Sequence, residues 1–217
     1  MIPKIIHQTW KTNNLPNDFK LWSNTWKILN PDYIYKFYDD DDCLLFINNN
    51  YPEFINLYNN LIPIQKSDVF RYLILHKYGG FYADMDTICY RSIEQLRCRY
   101  STKLITGIEY NGNEKGIDYK QYQQWFIGSP SGHEMLYNIV KEIEYRWYYL
   151  LWFYKFLKGE NKLTYWLTGP ELYTEVINNN DIKDVVILKK GLLGSYDKSK
   201  ITKYSYLDHM FKGTWKK

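Results

Sequence analysis

Residues 67–86 carry the local signals that decide the fold, and they read SDVFRYLILHKYGGFYADMD. Their apolar first half predicts a helix over Ser67–Tyr78, with the serine hydroxyl available as the N-terminal cap. The pair Gly79-Gly80 permits the left-handed backbone that commonly ends a helix. The apolar residues that follow predict a strand over Phe81–Ile88. A helix that turns back onto a buried strand is typical of an α/β fold.

The segments on either side alternate between strand and helix patterns, and they show no internal repeat or linker. They indicate one α/β domain over residues 1–217. A buried first strand is expected to start at Ile2 and to end in a loop, His7-Gln8-Thr9-Trp10, and residues 107–124 are expected to form a mobile loop. Helices are also predicted over Phe19–Leu29, Gly132–Leu157 and Glu171–Ile177, and strands over Tyr33–Tyr38 and Val185–Leu188. The acidic run Asp39–Asp42 is interpreted as the cap and first turn of a helix in preference to a cation site.

The composition excludes several classes of protein. Of the 217 residues, 45% are hydrophobic and 24% are charged, which excludes a disordered chain, a collagen and a membrane bundle. The net charge of +4 is too small for a committed nucleic-acid binder but suits a small anionic ligand such as a nucleoside diphosphate. The three cysteines have no CxxC spacing and predict neither a disulfide framework nor a zinc site, which favours a reducing compartment.

Two features of the sequence bear on location. No apolar run approaches the roughly 20 residues of a spanning helix, and the first residues, MIPKIIHQTWK, lack the apolar centre of a signal peptide. We therefore expect a cytoplasmic protein.

Residues 145–157, YRWYYLLWFYKFL, are aromatic almost all round. They predict either a helix packed on several sides or an interfacial helix that makes a peripheral contact with a membrane or a protein.

Two carboxylates near the end of the predicted strand form the first candidate site. Asp84 and Asp86 are two residues apart, so in a strand they share a face with Tyr82. Such a pair repels unless a cation lies beside it. Mn²⁺ and Mg²⁺ prefer oxygen ligands and commonly take one or two protein carboxylates together with phosphate oxygens. The pattern therefore suggests a cation that binds a diphosphate, and a solvated strand end is the alternative interpretation.

A second candidate lies on the preceding helix. Asp68 and Arg71 are three residues apart and therefore share a face of the helix. One interpretation is a surface ion pair that contributes a few tenths of a kcal/mol. The other is a polar pair that holds sugar hydroxyls or a phosphate near the metal. The residues alone favour neither interpretation.

Four blocks of the sequence stand in a characteristic order and at characteristic separations. They are Ile2–Trp10; Ser67–Arg71 with Asp84–Asp86; Gln124–Ile127 with Ser131–His133; and Thr168–Pro170 with His209 and Gly213–Trp215. In this order they resemble glycosyltransferase family 32, the DXD-containing, α-1,6-mannosyltransferase-like sugar transferases whose core is related to the clostridial glucosylating toxins. The resemblance covers most of the chain, although residues 107–124 match nothing in the family pattern and Glu134 stands where many relatives carry proline.

This resemblance implies a GT-A fold, in which a Rossmann-like mixed sheet is flanked by helices. It also implies a metal-dependent retaining transferase that uses Mn²⁺ or Mg²⁺. The donor is expected to be a nucleotide-diphosphate sugar, a UDP- or GDP-hexose, and the acceptor a glycan, a lipid-linked sugar or a protein. No nucleic-acid partner is expected.

Matched by position, the resemblance assigns roles to individual residues. Asp86 is expected to ligate the metal directly, Asp84 to contact the ribose, the metal or its bound water, and His209 to lie near the metal and the diphosphate. Asp68 and Arg71 are expected to hold the donor sugar, and these two residues and the two DXD aspartates form the expected catalytic group. The residues expected to contact the nucleotide are His7, Gln8, Thr9, Trp10, Tyr82, Asp84 and Trp215, the last of which closes over it.

The expected chemistry is cleavage of the bond between sugar and diphosphate through an oxocarbenium-like state, with positive charge stabilising the leaving phosphate. No side chain is assigned as a base. Two other functions are considered, an inactive sugar-binding module and a haloacid-dehalogenase-like phosphatase with Asp84 as nucleophile. The phosphatase pattern is disfavoured because its Asp-x-Asp normally lies near the N-terminus, and donor hydrolysis without acceptor distinguishes an active transferase from a binding module.

Overall fold

The computed structural model describes residues 1–112, 119–150, 152 and 160–213. The strands are β1 Ile5–Thr9, β2 Ile34–Tyr38, β3 Gly80–Ala83, β4 Thr87–Cys89, β5 Leu104–Asn111, β6 Lys120–Tyr122, β7 Phe126–Ser129, β8 Val185–Leu188 and β9 Leu207–His209. The α-helices are α1 Asn17–Leu29, α2 Asp40–Asn50, α3 Ile55–Asn60, α4 Pro63–Tyr78, α5 Glu94–Arg99, α6 Glu134–Tyr145, α7 Glu160–Leu167 and α8 Pro170–Asn179.

The central sheet is mixed. Its strand order is β2-β1-β3-β7-β5-β6, and β8 also pairs with β5. Strand β1 runs parallel to β2 and β3, whereas β7 runs antiparallel to β3 and β5. A separate two-stranded ladder joins β4 to β9 and pairs Thr87 with His209. This ladder brings a late part of the chain to the end of β3.

Apolar side chains are buried on both faces of this sheet, because neighbouring residues of a strand point to opposite sides. Tyr82 and Ile127 belong to one cluster, to which α4, α6 and α8 contribute. Phe81 and Phe126 belong to the other, to which α1 contributes Trp26. Helices therefore flank the sheet, and the α/β architecture predicted from the sequence is confirmed.

Helix α4 begins four residues earlier than predicted. Pro63 occupies the first helical position, where its missing N–H costs nothing, and the side chain of Gln65 accepts the N–H of Ile62. Ser67 is therefore not the cap, and its hydroxyl instead donates to the carbonyl of Pro63. The predicted start was wrong because the proline and glutamine upstream supply a better N-terminus.

The end of α4 depends on two glycines, as predicted. Gly79 and Gly80 have φ of 64° and 96°, in the region that disfavours other residues. A β-carbon at Gly79 would lie 2.6 Å from the backbone nitrogen of Ser131, and one at Gly80 would lie 2.6 Å from the carbonyl oxygen of Ile5. The pair thus allows the chain to reverse and β3 to lie directly beside β1.

The prediction of one continuous strand over Phe81–Ile88 is wrong. Strand β3 ends at Ala83, and residues 84–86 form a turn before β4. The turn forms because the carbonyl of Asp84 accepts hydrogen bonds from the N–H and hydroxyl of Thr87, at 3.2 and 2.6 Å, and from the side-chain amide of Gln8. Asp84 and Asp86 therefore approach each other across a turn, and strand alternation does not place them.

Three other predictions need correction. Residues 107–124 are not one loop, because pairing with β8 and β6 extends β5 to Asn111 and β6 covers Lys120–Tyr122. Residues 7–9 lie on β1 and not in a loop, because β1 pairs with β2 along its whole length. Helix α6 ends at Tyr145 and is followed by a π-helical turn over Arg146–Leu150; of the remaining predicted helix, the structure describes Trp152 alone.

Other local predictions are confirmed. Asp39 caps α2 by accepting the N–H of Asp42, whose carboxylate accepts the N–H of Asp39 in return. Strand β8 has the predicted bounds, Val185–Leu188. Within the described residues, no helix combines the length and the apolar character needed to cross a membrane.

Candidate active site

The turn after β3 meets the end of β9 and forms what we call the open cluster, Asp84, Asp86 and His209. Nε2 of His209 lies 3.1 Å from Oδ1 of Asp86 and 3.7 Å from Oδ2 of Asp84. One potential ligand atom from each residue lies within 4.8 Å of the other two. The ladder between β4 and β9 fixes this geometry because it pairs His209 with Thr87, the residue after Asp86.

The electrostatics of the open cluster depend on its two carboxylates. Burial acts to lower the pKa of His209, but the nearby carboxylates of Asp84 and Asp86 outweigh it and raise this pKa to about 9. Burial acts to raise the pKa of Asp86, but the hydrogen bond to His209 and the N–H of Lys212, 3.0 Å away, lower it overall. Two carboxylates and an imidazole at these distances can hold a divalent cation.

Beside the open cluster lies a buried group that we call the closed cluster, Asp68, Arg71, Gln124 and Thr168. Nη2 of Arg71 lies 3.1 Å from Oδ1 of Asp68 and 3.2 Å from Oδ1 of Asp84. Asp68 and Arg71 are 1% and 3% exposed, which excludes the surface ion pair considered from the sequence. The ring of Tyr82 lies against the guanidinium at 4.9 Å.

Every oxygen of Asp68 has a partner within the closed cluster. Nε2 of Gln124 donates to Oδ1 at 2.8 Å, and the hydroxyl of Thr168 donates to Oδ2 at 2.7 Å. Burial raises the pKa of Asp68, while Arg71 and Thr168 act against this rise. The sequence blocks contained Gln124 and Thr168 but gave them no role, because nothing local indicates that they meet Asp68.

A cleft of about 260 Å³ opens over the open cluster. Its walls carry seven of the predicted site residues: Thr9, Trp10, Arg71, Tyr82, Asp84, Asp86 and His209. The indole N–H of Trp10 is buried and has no hydrogen-bond partner among the described residues. Such an unpaired donor is available to a polar ligand.

Aromatic side chains support His209 on its other side. The rings of Trp125 and Phe211 lie 5.0 and 4.1 Å from its imidazole, and Phe211 stacks on Tyr196 at 3.6 Å. Phe211 has φ of 50°, a conformation that bulky residues rarely adopt. Backbone strain of this kind is concentrated at functional sites.

Two predicted nucleotide contacts lie behind the cleft wall. His7 is buried; its Nε2 donates to the carbonyl of Gly79, its Nδ1 contacts the hydroxyl of Tyr38, and burial lowers its pKa to about 4. Gln8 is also buried and holds the carbonyl of Asp84. The structure therefore brings these two side chains to the backbone that shapes the site. Trp215 lies outside the described residues.

A smaller inner chamber of about 100 Å³ adjoins the cleft and shares Arg71, Asp84 and His209 with it. Glu109 of β5 and Gln124 are further residues of its wall. Sequence reasoning missed Glu109 because it lies in the segment predicted to be a loop. An acidic residue alternating with apolar neighbours in that segment was the available signal.

Comparison with known proteins gives a consistent result. Residues 16–103 match the model of a glycosyltransferase sugar-binding region containing the DXD motif. An uncharacterized glycosyltransferase of Acanthamoeba polyphaga mimivirus is 30% identical over 201 residues, which are 89% of this chain and 73% of the viral protein.

Fungal relatives match over different extents. Inositol phosphoceramide mannosyltransferase 3 of Schizosaccharomyces pombe is 44% identical over 96 residues, 44% of this chain and 27% of that enzyme. The initiation-specific alpha-1,6-mannosyltransferase of the same yeast is 29% identical over an alignment that covers 99% of this chain and 64% of that enzyme. The matched region thus spans about a quarter of the length of the inositol phosphoceramide enzyme.

Two solved structures share the fold. The PaToxG glycosyltransferase superposes with a TM-score of 0.57 over 81% of this chain and 69% of its own, at 17% identity. The glycosyltransferase domain of the YGT toxin also has a TM-score of 0.57, over 86% of this chain and 80% of its own, at 10% identity. These similarities confirm the GT-A architecture expected from the sequence.

Proposed function

The chain belongs to the family of glycosyltransferases whose sugar-binding region contains the DXD motif, and we propose that it transfers a hexose from a nucleoside diphosphate donor with a divalent cation. The names of its fungal relatives support mannose as the hexose. UDP and GDP are the proposed nucleotides, a glycan or glycoconjugate is the proposed acceptor, and retention of the anomeric configuration is the proposed outcome. Family membership excludes the phosphatase with Asp84 as nucleophile.

The observation that carries this proposal is the open cluster in the wall of the cleft. Its ligand atoms lie within 4.8 Å of one another, close enough to share one ion. Two carboxylate oxygens suit Mn²⁺ and Mg²⁺, and the imidazole nitrogen favours Mn²⁺ of the two. The residues present therefore fit a divalent cation, which when bound supplies positive charge to the leaving diphosphate.

The chain's own residues would perform the remaining tasks. Arg71 is a fixed positive charge beside Asp84, and Asp68 holds its guanidinium in place. We propose that Asp68 and Arg71 hold the donor sugar from the inner chamber. Thr9 and Trp10 would contact the nucleoside. No side chain is proposed as the base.

A peripheral contact with a membrane or protein partner is proposed for the aromatic surface that begins at the last residue of α6. Tyr145, Tyr148, Tyr149 and Trp152 are all exposed. Aromatic rings with a polar edge are favourable at a membrane interface. The names of the inositol phosphoceramide relatives make a lipid-linked acceptor one of the classes to examine.

A thermal-shift series tests the proposed function directly. The protein is heated with UDP, GDP, CDP or ADP, each with and without Mn²⁺. A ligand at 100 times its dissociation constant stabilises a protein by about 2.7 kcal/mol, which raises the melting temperature measurably. We expect a rise for one nucleotide in the presence of Mn²⁺, followed by slow hydrolysis of the matching nucleotide-hexose. Absence of any shift and of any hydrolysis would contradict the proposal.

A further inference from the structure

Glu109 is a buried carboxyl group to which the transfer chemistry described above gives no role. It lies on β5, is 8% exposed and lines the inner chamber. Its carboxyl group interacts with the side chains of Gln121 and Tyr196. Among the described residues, no lysine or arginine forms an ion pair with it.

Burying a carboxyl group without a cation is unfavourable, and the surroundings of Glu109 reflect this. Burial raises its pKa to about 7, against the opposing effects of Gln121, His209 and Tyr196. A carboxyl group has more acceptor positions than the side chains of Gln121 and Tyr196 fill. The other acids of the chamber wall are Asp68 and Asp84, and both pair with Arg71. Glu109 is thus the acid of the chamber wall that has no cationic ion-pair partner among the described residues.

The position of the inner chamber indicates what occupies it. Trp10 and the open cluster both line the cleft, and the chamber shares Arg71, Asp84 and His209 with it. In a nucleotide-sugar the hexose is bonded directly to the diphosphate. A diphosphate held at the open cluster, with its nucleoside toward Trp10, leaves its hexose beside the chamber.

We propose that Glu109 hydrogen-bonds hydroxyl groups of the transferred hexose and selects the donor by its sugar. This inference rests on the proposed function, because it assumes a nucleotide-sugar in the cleft. Carboxyl groups that face sugar hydroxyls reject analogues that lack them, since the buried group is then left unpaired. Tyr196 is a positioning residue in this arrangement, because its hydroxyl interacts with the carboxyl of Glu109.

The test separates affinity for the nucleotide from affinity for the sugar. Titration calorimetry with Mn²⁺ measures the Kd of UDP or GDP, whichever the unaltered protein binds, and of the corresponding nucleotide-mannose. Glu109→Leu should leave the Kd of the nucleotide within about twofold and weaken the nucleotide-mannose by about 10- to 100-fold, the range of a lost hydrogen bond to a carboxyl group. Glu109→Gln, which keeps hydrogen-bonding atoms, should recover part of this loss.

Controls make each outcome decisive. Glu171→Gln removes an exposed acid at the start of α8 and should change neither Kd. Tyr196→Phe should give a smaller, sugar-dependent loss, and melting temperatures without ligand report folding of every variant. The decisive quantity is the Kd of the nucleotide-mannose divided by the Kd of the nucleotide. If this ratio is the same in Glu109→Leu and in the unaltered protein, the inference is overturned while the proposed function stays intact. If the unaltered protein binds no nucleotide with Mn²⁺, the proposed function fails first.

Discussion

The closed and open clusters contain similar residue types and differ in how far the protein completes them. Asp68 of the closed cluster is 1% exposed, and protein donors occupy both of its oxygens. The side chains of Asp84 and Asp86 in the open cluster are 24% and 16% exposed. A carboxylate whose oxygens are all bonded to protein donors holds neighbouring side chains in place. A carboxylate that is partly exposed has oxygen positions left to bind a ligand.

Arg71 connects the two clusters. One nitrogen of its guanidinium lies 3.1 Å from Asp68 and 3.2 Å from Asp84. The orientation of Asp84 in the open cluster therefore depends on packing in the closed one. The first two variants below each remove a member of one cluster, the next two change residues outside both, and all run from the largest expected effect to the smallest.

Asp86→Asn should abolish the ligand capacity of the open cluster. Loss of a carboxylate ligand to the proposed cation should lower turnover by about 10³- to 10⁴-fold, because several kcal/mol of charge stabilisation is lost. The side-chain oxygen of asparagine can still accept the N–H of Lys212, so the fold should persist. Turnover and Mn²⁺-dependent melting shifts measure the effect, and Asp32→Asn, on an exposed turn, is the control. Turnover above one tenth of normal in Asp86→Asn would place the metal elsewhere.

Arg71→Met should break the closed cluster and leave Asp68 buried without a counter-charge. Removal of one partner from a buried ion pair costs about 3 kcal/mol or more. Urea denaturation measures the free energy of unfolding. Arg146→Met is the matched control, because Arg146 is equally buried but its partners Glu142 and Glu175 reach solvent. A loss no larger than that of Arg146→Met would mean that the closed cluster contributes little to stability.

His7, which lies behind the cleft wall and outside both clusters, adds a dependence of stability on pH. The pKa of His7 is lowered to about 4 by burial, whereas the unfolded chain binds that proton near pH 6.5. The stability from neutral His7 is therefore complete above pH 6.5 and is lost as pH falls toward 4. Between pH 7 and 5 this group should contribute a loss of about 2 kcal/mol.

Urea denaturation at pH 7 and pH 5 checks this expectation. His7→Gln, which does not titrate, should have a shallower dependence on pH than the unaltered protein. Carboxylates titrate in both proteins, so the comparison concerns the difference between their slopes. If the free energy of unfolding changes equally with pH in the two proteins, water reaches His7 in the folded state.

Lys212→Ala should have the smallest effect. The side chain of Lys212 makes an exposed ion pair with Asp18 at 3.6 Å, and such pairs contribute less than about 1 kcal/mol. Its backbone N–H, which binds Asp86, survives the substitution. Urea denaturation and the Kd of the nucleotide with Mn²⁺ should both be nearly unchanged. A loss above tenfold in affinity would give the lysine charge a part in holding phosphate.

Local signals predicted much of the fold. The cap at Asp39, the break at Gly79 and the strand Val185–Leu188 each depend on a few adjacent residues, so the sequence is sufficient. The start of α4 was readable as well, because Pro63 is a standard first helical residue, but Ser67 was given more weight.

Features that depend on distant partners could not be predicted. The turn at residues 84–86 forms because Gln8 and Thr87 both bind the carbonyl of Asp84. The same holds for Glu109, which becomes a buried wall residue once β5 pairs with β8. The sequence identified the aspartates of the DXD motif, while the supporting contacts that orient them required the fold.

The ladder between β4 and β9 also joins parts of the chain that are made at different times. The DXD turn leaves the ribosome before His209. Domains generally fold as units during synthesis. A nascent chain that lacks β9 would hold two of the three candidate ligands of the proposed cation. Pairing of β9 with β4 would therefore complete the candidate cation site.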